Sequence, residues 1–193
     1  MPFRTMGWSS TTSMLTQIAK ALSLSKATCT RAINDLSASG LISQTAEGTN
    51  KWITTAYTKS ELLEKAYGRL KTPVDRILYV KGTAQIEHPI ASGIRALARQ
   101  SMIGVNDQDG AIAISKKEAA KIPAEDICTK QYFEDFGGAV IEVWSYDPII
   151  LERDGCVDDI SLLLSMDNDP NERVQTCLDE IRQKHGLPIK EEE

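Results

Sequence analysis

Residues 15–42 read LTQIAKALSLSKATCTRAINDLSASGLI, and this stretch decides the fold of the first third of the chain. Its apolar residues first recur with the i, i+3, i+4, i+7 spacing that places side chains on one face of a helix. These residues are Leu15, Ile18, Ala19 and Leu22. The pattern predicts an amphipathic helix over residues 14–22, followed by a short turn at Ser23 and Leu24.

A second helix is predicted directly after that turn. Ser25 is a residue type that caps helix N-termini, because its hydroxyl can accept a hydrogen bond from a free backbone N–H. Cys29, Ile33 and Leu36 then fall on one apolar stripe at i, i+4, i+7 spacing. Gly40 stands where a C-cap glycine is expected, so the helix should end just before it.

A β-hairpin and a third helix follow. Residues 41–43 and 51–54 predict two strands, and the polar segment 44–50 between them suits a hairpin tip. Residues 58–71 carry leucine and alanine at helical spacing and predict another amphipathic helix.

Charge is divided unevenly along the chain. Residues 1–80 carry 10 Lys/Arg and 5 Asp/Glu, a balance of +5, whereas residues 81–193 carry 12 and 22, a balance of −10. A basic surface favours a polyanion such as DNA, and an acidic surface is repelled by it. The first part is therefore the candidate for DNA binding. The second part is the candidate site for a protein partner or a small-molecule effector.

The order helix, tight turn, helix, hairpin is that of a winged helix-turn-helix domain, and the chain resembles the MarR-like winged helix-turn-helix transcriptional regulators over about residues 12–72. Ala19 matches the small residue that lets the two helices cross closely. Ser23 stands where many such motifs have glycine. The resemblance implies a DNA-binding domain over residues 1–72 that acts in transcription regulation.

The second helix, residues 25–39, is expected to be the recognition helix and to lie in the major groove. Its first turns carry short polar and basic side chains on faces away from the apolar stripe. These candidate DNA-binding residues are Ser25, Lys26, Thr28, Thr30, Arg31 and Asn34.

Different roles are expected along this helix. We expect Ser25 and Lys26 to contact phosphates, because they lie nearest the helix start. We expect Thr28 and Arg31 to contact bases, and Arg31 suits a bidentate contact with guanine. The other two residues could serve either role.

The hairpin is expected to act as the wing, residues 44–51, which in the resembled family touches the minor groove or the backbone. Thr49, Asn50 and Lys51 lie at its tip and are the candidate contacts. Glu47 lies near them in the sequence and is unfavourable for DNA contact, because its carboxylate repels phosphate.

Residues 73–193 predict a small acidic α+β domain with a regulatory or oligomerisation role. Strand candidates are residues 76–80, 111–115 and 139–144, and helix candidates are residues 91–102, 116–121, 160–166 and 171–185. The last helix has Asp169 as its expected N-cap and Pro170 at its first position. The aromatic and acidic run 132–136, like Trp144, belongs either to the core or to a partner surface.

Several kinds of site are not expected. The four cysteines, Cys29, Cys128, Cys156 and Cys177, have neither CxxC nor CxH spacing, and the two histidines are isolated. We therefore expect no metal, no cofactor, no catalytic residue and no enzyme activity. No run of about 18 apolar residues predicts a membrane span, and no secretory signal opens the chain. These features predict a cytoplasmic protein with reduced cysteines.

The leading hypothesis is a sequence-specific regulator that binds double-stranded DNA as a homodimer, because one recognition helix reads only a few base pairs. Three alternatives remain open at this point. The chain could be an autoregulating antitoxin whose acidic half binds a toxin, a winged-helix adaptor that binds only protein, or an enzyme that its winged helix recruits to nucleic acid.

Overall fold

The computed structural model describes residues 11–48, 50–82, 85–104 and 110–189. The chain is an α+β protein that divides into two compact units, Met1–Arg69 and Leu70–Glu193. The division lies close to the boundary that the sequence predicts between residues 72 and 73. Within the described ranges, no helix has the length and apolar character needed to cross a bilayer.

The first unit combines short helices with a small antiparallel sheet. Its elements are β1 (Thr11–Met14), α1 (Leu15–Ala21), α2 (Lys26–Ala38), β2 (Ser43–Glu47), β3 (Asn50–Thr55) and α3 (Lys59–Tyr67). The strands lie in the order β1-β3-β2, with Met14 and Thr45 on opposite sides of Trp52. The sequence pattern does not predict β1, because this strand depends on pairing with β3, which lies far along the chain.

Buried side chains from α1, α2 and β3 form the core of the first unit. They are Leu15, Ala19, Cys29, Ile33 and Ile53. Burial raises the pKa of the Cys29 thiol, which keeps this side chain neutral as a small core group. Leu36 is 39% exposed, so the prediction that it shares the buried stripe is wrong. The reason is length: α1 has 7 residues and α2 has 13, so α1 covers only part of α2.

A tight turn joins α1 to α2. Ser23 has φ +51°, in the left-handed region that glycine adopts at little cost. Backbone hydrogen bonds close the turn, because the Leu24 N–H donates to the Ala19 carbonyl at 2.9 Å. Serine therefore occupies a glycine-like conformation at the position where the resembled motif often has glycine.

The second unit is built on a five-stranded sheet. Its elements are β4 (Val74–Val80), β5 (Ile90–Ala91), α4 (Gly93–Ala98), β6 (Ala111–Ser115), α5 (Lys116–Ala119), β7 (Ile127–Cys128), α6 (Lys130–Phe136), β8 (Ala139–Trp144), α7 (Asp159–Met166) and α8 (Glu172–Lys184). The strand order is β5-β6-β8-β4-β7. Strands β6 and β8 are parallel, and the other neighbours are antiparallel, with Val74 opposite Trp144.

Side chains alternate between the two faces of this sheet. One face carries an apolar cluster that includes Val80, Ile112, Ile114, Ile141 and Val143. The intervening residues of β6 and β8 point to the other face, and among them Glu142 lies opposite Ala113 in the middle of the sheet. The sheet therefore holds one carboxylate within a strand that is otherwise apolar.

The start of α8 differs from the prediction. Asn171 is the N-cap, and its side-chain oxygen accepts from the Arg173 N–H at 3.0 Å. The predicted cap at Asp169, with Pro170 at the first helical position, is wrong. The Asp169 carboxylate instead accepts from the Asn171 N–H at 2.9 Å, which forms a turn before the helix begins.

The aromatic run forms α6, a helix that the sequence pattern does not predict. Thr129 caps it by accepting from the Tyr132 N–H at 3.2 Å. The Phe133 ring packs beside Tyr79 with centroids 5.5 Å apart, whereas Phe136 is 74% exposed. Within this run, Phe133 therefore packs inside the unit and Phe136 lies at the surface. Trp144 is 1% exposed and belongs to the core.

Candidate nucleic-acid interface

The start of α2 is fixed by a serine cap. Ser25 has extended backbone angles, and its hydroxyl accepts from the Thr28 N–H at 3.0 Å. The Ser25 and Thr28 hydroxyls also lie 2.8 Å apart, within hydrogen-bond distance. Two of the predicted contact residues are therefore held together in the first turn, and the free backbone N–H groups of that turn give it a partial positive charge.

The outward face of α2 follows from helical geometry. At 3.6 residues per turn, Arg31 lies opposite the buried pair Cys29 and Ile33. Arg31 is exposed, and so is Lys26 at the first helical position. On α2, both of the cationic side chains that are predicted contacts are therefore free to reach a ligand outside the unit.

Thr30 lies at the side of the helix and not on its outward face. It is half-buried, and its hydroxyl donates to the Lys26 carbonyl at 2.8 Å. The hydroxyl proton is thus already used within the helix. Only the acceptor capacity of Thr30 remains for an external group.

Asn34 is exposed and connects α2 to the hairpin. The Gln44 side-chain amide on β2 donates to Asn34 Oδ1 at 3.1 Å and to the Ile33 carbonyl at 3.4 Å. This arrangement braces the helix against the strand. The Asn34 NH₂ group keeps its donors for an external acceptor.

The hairpin tip is shorter than the predicted segment 44–50, because β2 extends to Glu47 and β3 begins at Asn50. Gly48 has φ +59°, which a tight turn requires, and Asn50 lies opposite Glu47. Asn50 and Lys51 are exposed. Thr49, the third predicted contact of the wing, lies outside the described residues.

The two units differ in how many of their charged side chains form ion pairs. Every ion pair formed among the described residues lies between residues 75 and 185, in the second unit. In the part of the first unit that the structure describes, Lys20, Lys26, Arg31 and Lys51 are exposed and have no carboxylate within 4.0 Å. No carboxylate among the described residues compensates these four charges, and they are available to an anionic partner.

Sequence reasoning missed three residues of this surface. Ala27 and Asp35 are exposed on the same side of α2 as Arg31, and the helical repeat alone could have placed them there. Gln44 carries no such signal, because its bond to Asn34 depends on how the hairpin folds back. On a surface that met DNA, the Asp35 carboxylate would repel phosphate but could accept a hydrogen bond from cytosine N4.

Within the described ranges, no group of three or more His, Cys, Asp or Glu residues could hold a metal ion. Comparison with known proteins gives no family model, no curated protein and no solved structure that matches this chain.

Proposed function

We propose that this chain is a sequence-specific DNA-binding transcriptional regulator, in which the first unit acts as a winged helix-turn-helix domain. In this proposal α2 enters the major groove, and the β2–β3 hairpin contacts the backbone or the minor groove. The second unit, with its excess of acidic residues, serves as a regulatory or oligomerisation domain. The proposed setting is the cytoplasm.

One observation carries the proposal: the cations on and around α2 are exposed and unpaired, whereas those of the second unit include many in ion pairs. Binding DNA brings phosphates to such cations and releases the counterions condensed on the DNA. Unpaired Lys and Arg suit this role, because no internal salt bridge has to break first.

The geometry also supports different contacts for different residues of α2. Lys26 and the N-terminal N–H groups lie where helix ends commonly meet phosphate. Arg31 projects from the outward face one turn further along, where base edges would lie. The Gln44 brace keeps the hairpin and the helix in one arrangement for both contacts.

The first test is DNA binding as a function of salt. Labelled duplexes selected from a randomised library are incubated with the full chain and resolved by gel shift at about 50 and about 200 mM salt. We expect binding at the lower concentration and a loss of affinity by orders of magnitude at the higher one, since each phosphate contact adds to the salt slope. Absence of a shift at both concentrations would contradict the proposal.

We further propose that the regulator is a homodimer, because a single α2 can read only a few base pairs. A dimer on a two-fold symmetric operator would contact twice as many. Light scattering of the free protein should give about twice the chain mass of 21.3 kDa. A single-chain mass, both for the free protein and for its complex with a selected duplex, would show that it acts as a monomer.

A further inference from the structure

The second unit contains an open cavity of about 710 Å³ on the face of the sheet opposite its apolar cluster. Ala111, Val140 and Glu142 line it from the strands, and residues 164–169 line it from the end of α7 and the segment after it. Small organic ligands bind in cavities of about 300–1,000 Å³ with mostly apolar walls and a few polar groups. The cavity therefore falls within the size range of such ligand sites.

Glu142 is the unusual group in this cavity. It is only 8% exposed, and its Oε2 accepts a hydrogen bond from Trp144 Nε1 at 3.0 Å. Burial raises the pKa of Glu142, and the hydrogen bond from Trp144 lowers it in part. No basic group among the described residues pairs with it, so the carboxylate lacks the cationic partner that buried acids usually have.

Small residues keep space open beside this carboxylate. Gly93 has φ +54°, and a Cβ at this position would lie 3.7 Å from Glu142 Oε1 and 3.9 Å from the Ala111 Cβ. A longer side chain at Gly93 would therefore cover Oε1. Ala111, which also lines the cavity, adds little bulk beside Gly93. Glu142 and Gly93 both line the cavity, so the carboxylate lies at its edge.

The charged residues that line the cavity favour a ligand of positive charge. Besides Glu142, the described lining residues include Asp167 and Asp169, but no Lys, Arg or His. Arg182 binds Asp167 at 2.7 Å and offsets part of its charge. Glu142 and Asp169 form no ion pair with any described residue. The acids are too dispersed to hold a metal ion. An organic cation fits better, because its apolar body can fill the volume that a bare ion leaves empty.

We propose that this cavity binds a small organic cation, whose amidinium, guanidinium or ammonium group pairs with the Glu142 carboxylate. The apolar body of the ligand lies against Ile94, Val140 and Leu164, which line the same cavity. A planar amidinium or guanidinium suits a carboxylate best, because its two N–H groups can meet oxygen lone pairs in one plane. This site does not depend on the proposed DNA binding.

Trp144 provides a local readout for the test. Its indole N–H donates to Glu142, so its ¹H–¹⁵N cross-peak reports directly on the carboxylate. The chain has 3 tryptophans, and Trp52 in the first unit serves as an internal control. The full chain is titrated to millimolar concentration with benzamidinium, with neutral benzamide and with anionic benzoate, at constant ionic strength. The Trp52→Phe and Trp8→Phe variants assign the indole peaks.

We expect benzamidinium to shift the Trp144 indole peak saturably and to leave the Trp52 peak in place. Benzamide should bind about tenfold or more weakly, because it lacks the charge-assisted hydrogen bonds, and benzoate should not bind. The Glu142→Gln variant keeps an acceptor for the indole and should lose affinity for benzamidinium by a similar factor. Glu118→Gln, which changes a carboxylate on α5, should not.

Three results would overturn the proposal. The first is the absence of a saturable shift at Trp144 with benzamidinium. The second is equal affinity for benzamide, which would make the cavity an apolar site without charge selection. The third is unchanged benzamidinium affinity in a folded Glu142→Gln variant. If that variant fails to fold, the comparison of the three compounds on the unchanged chain decides alone.

Discussion

Arg31→Ala should weaken binding to the selected duplex by about 1–3 kcal/mol and relax preference at one base pair in each half-site. Arg31 is exposed on the outward face of α2, opposite Cys29 and Ile33, and has no carboxylate partner among the described residues. A side chain in that position reaches base edges if α2 occupies the major groove. Fluorescence anisotropy with the selected duplex and a random duplex measures the change.

Lys26→Ala should behave differently, because Lys26 lies at the first helical position, where a phosphate is expected. It should weaken binding to both duplexes alike and lower the salt slope by about one unit. Lys117→Ala provides the matched control: Lys117 is exposed on α5 in the second unit and forms no ion pair with the described residues. Its removal changes the net charge by the same amount but should leave binding unchanged.

Two outcomes would contradict these assignments. If Arg31→Ala weakens binding to selected and random duplexes equally, Arg31 contacts the backbone and does not read a base. If neither Arg31→Ala nor Lys26→Ala alters binding while the unchanged chain binds DNA, α2 is not the helix that contacts it.

Leu178→Ala should destabilise the second unit by about 2–5 kcal/mol, the range for a fully buried leucine that leaves a cavity behind. Leu178 is 0% exposed on α8. Leu151→Ala makes the same chemical change at a site that is 43% exposed, and it should cost about 0.5 kcal/mol or less. Urea unfolding of the three proteins gives the free energies.

The same variants test whether the two units fold independently, as the sequence predicts for residues 1–72 and 73–193. The core of the first unit consists of its own residues, such as Cys29 and Ile33. Amide exchange in β3 should therefore be unchanged in Leu178→Ala, while protection in β8 falls. A parallel loss of protection in β3 would show that both units unfold as one cooperative structure.

The sequence predicted best where one physical signal dominates. Residues 111–115 and 139–144 are apolar runs, and both strands have the predicted bounds. Ser25 likewise gave the start of α2, since serine is a preferred N-cap residue and its hydroxyl accepts from the Thr28 N–H. Elements that depend on distant partners were not predictable, among them β1 and the two-residue strands β5 and β7.

In each of the two candidate sites, the sequence reveals some features and not others. The exposed polar residues of α2 follow from helical spacing, but the bond from Gln44 to Asn34 requires the hairpin to be folded against the helix. Glu142 is visible in the sequence as an acid within an apolar strand. The space beside it is not visible, because this space depends on the folded unit bringing the small residue Gly93 next to Glu142.

The position of β8 has a consequence for the time course of folding. This strand pairs with β4, where Val74 meets Trp144, and with β6 in parallel, so the sheet closes only when distant segments meet. Loop closure over such distances slows folding, whereas the β2–β3 hairpin joins neighbouring residues. The sheet of the second unit should therefore form more slowly than the β2–β3 hairpin. During synthesis β4 emerges long before β8, so its unpaired edge is the segment most open to contact with another nascent chain.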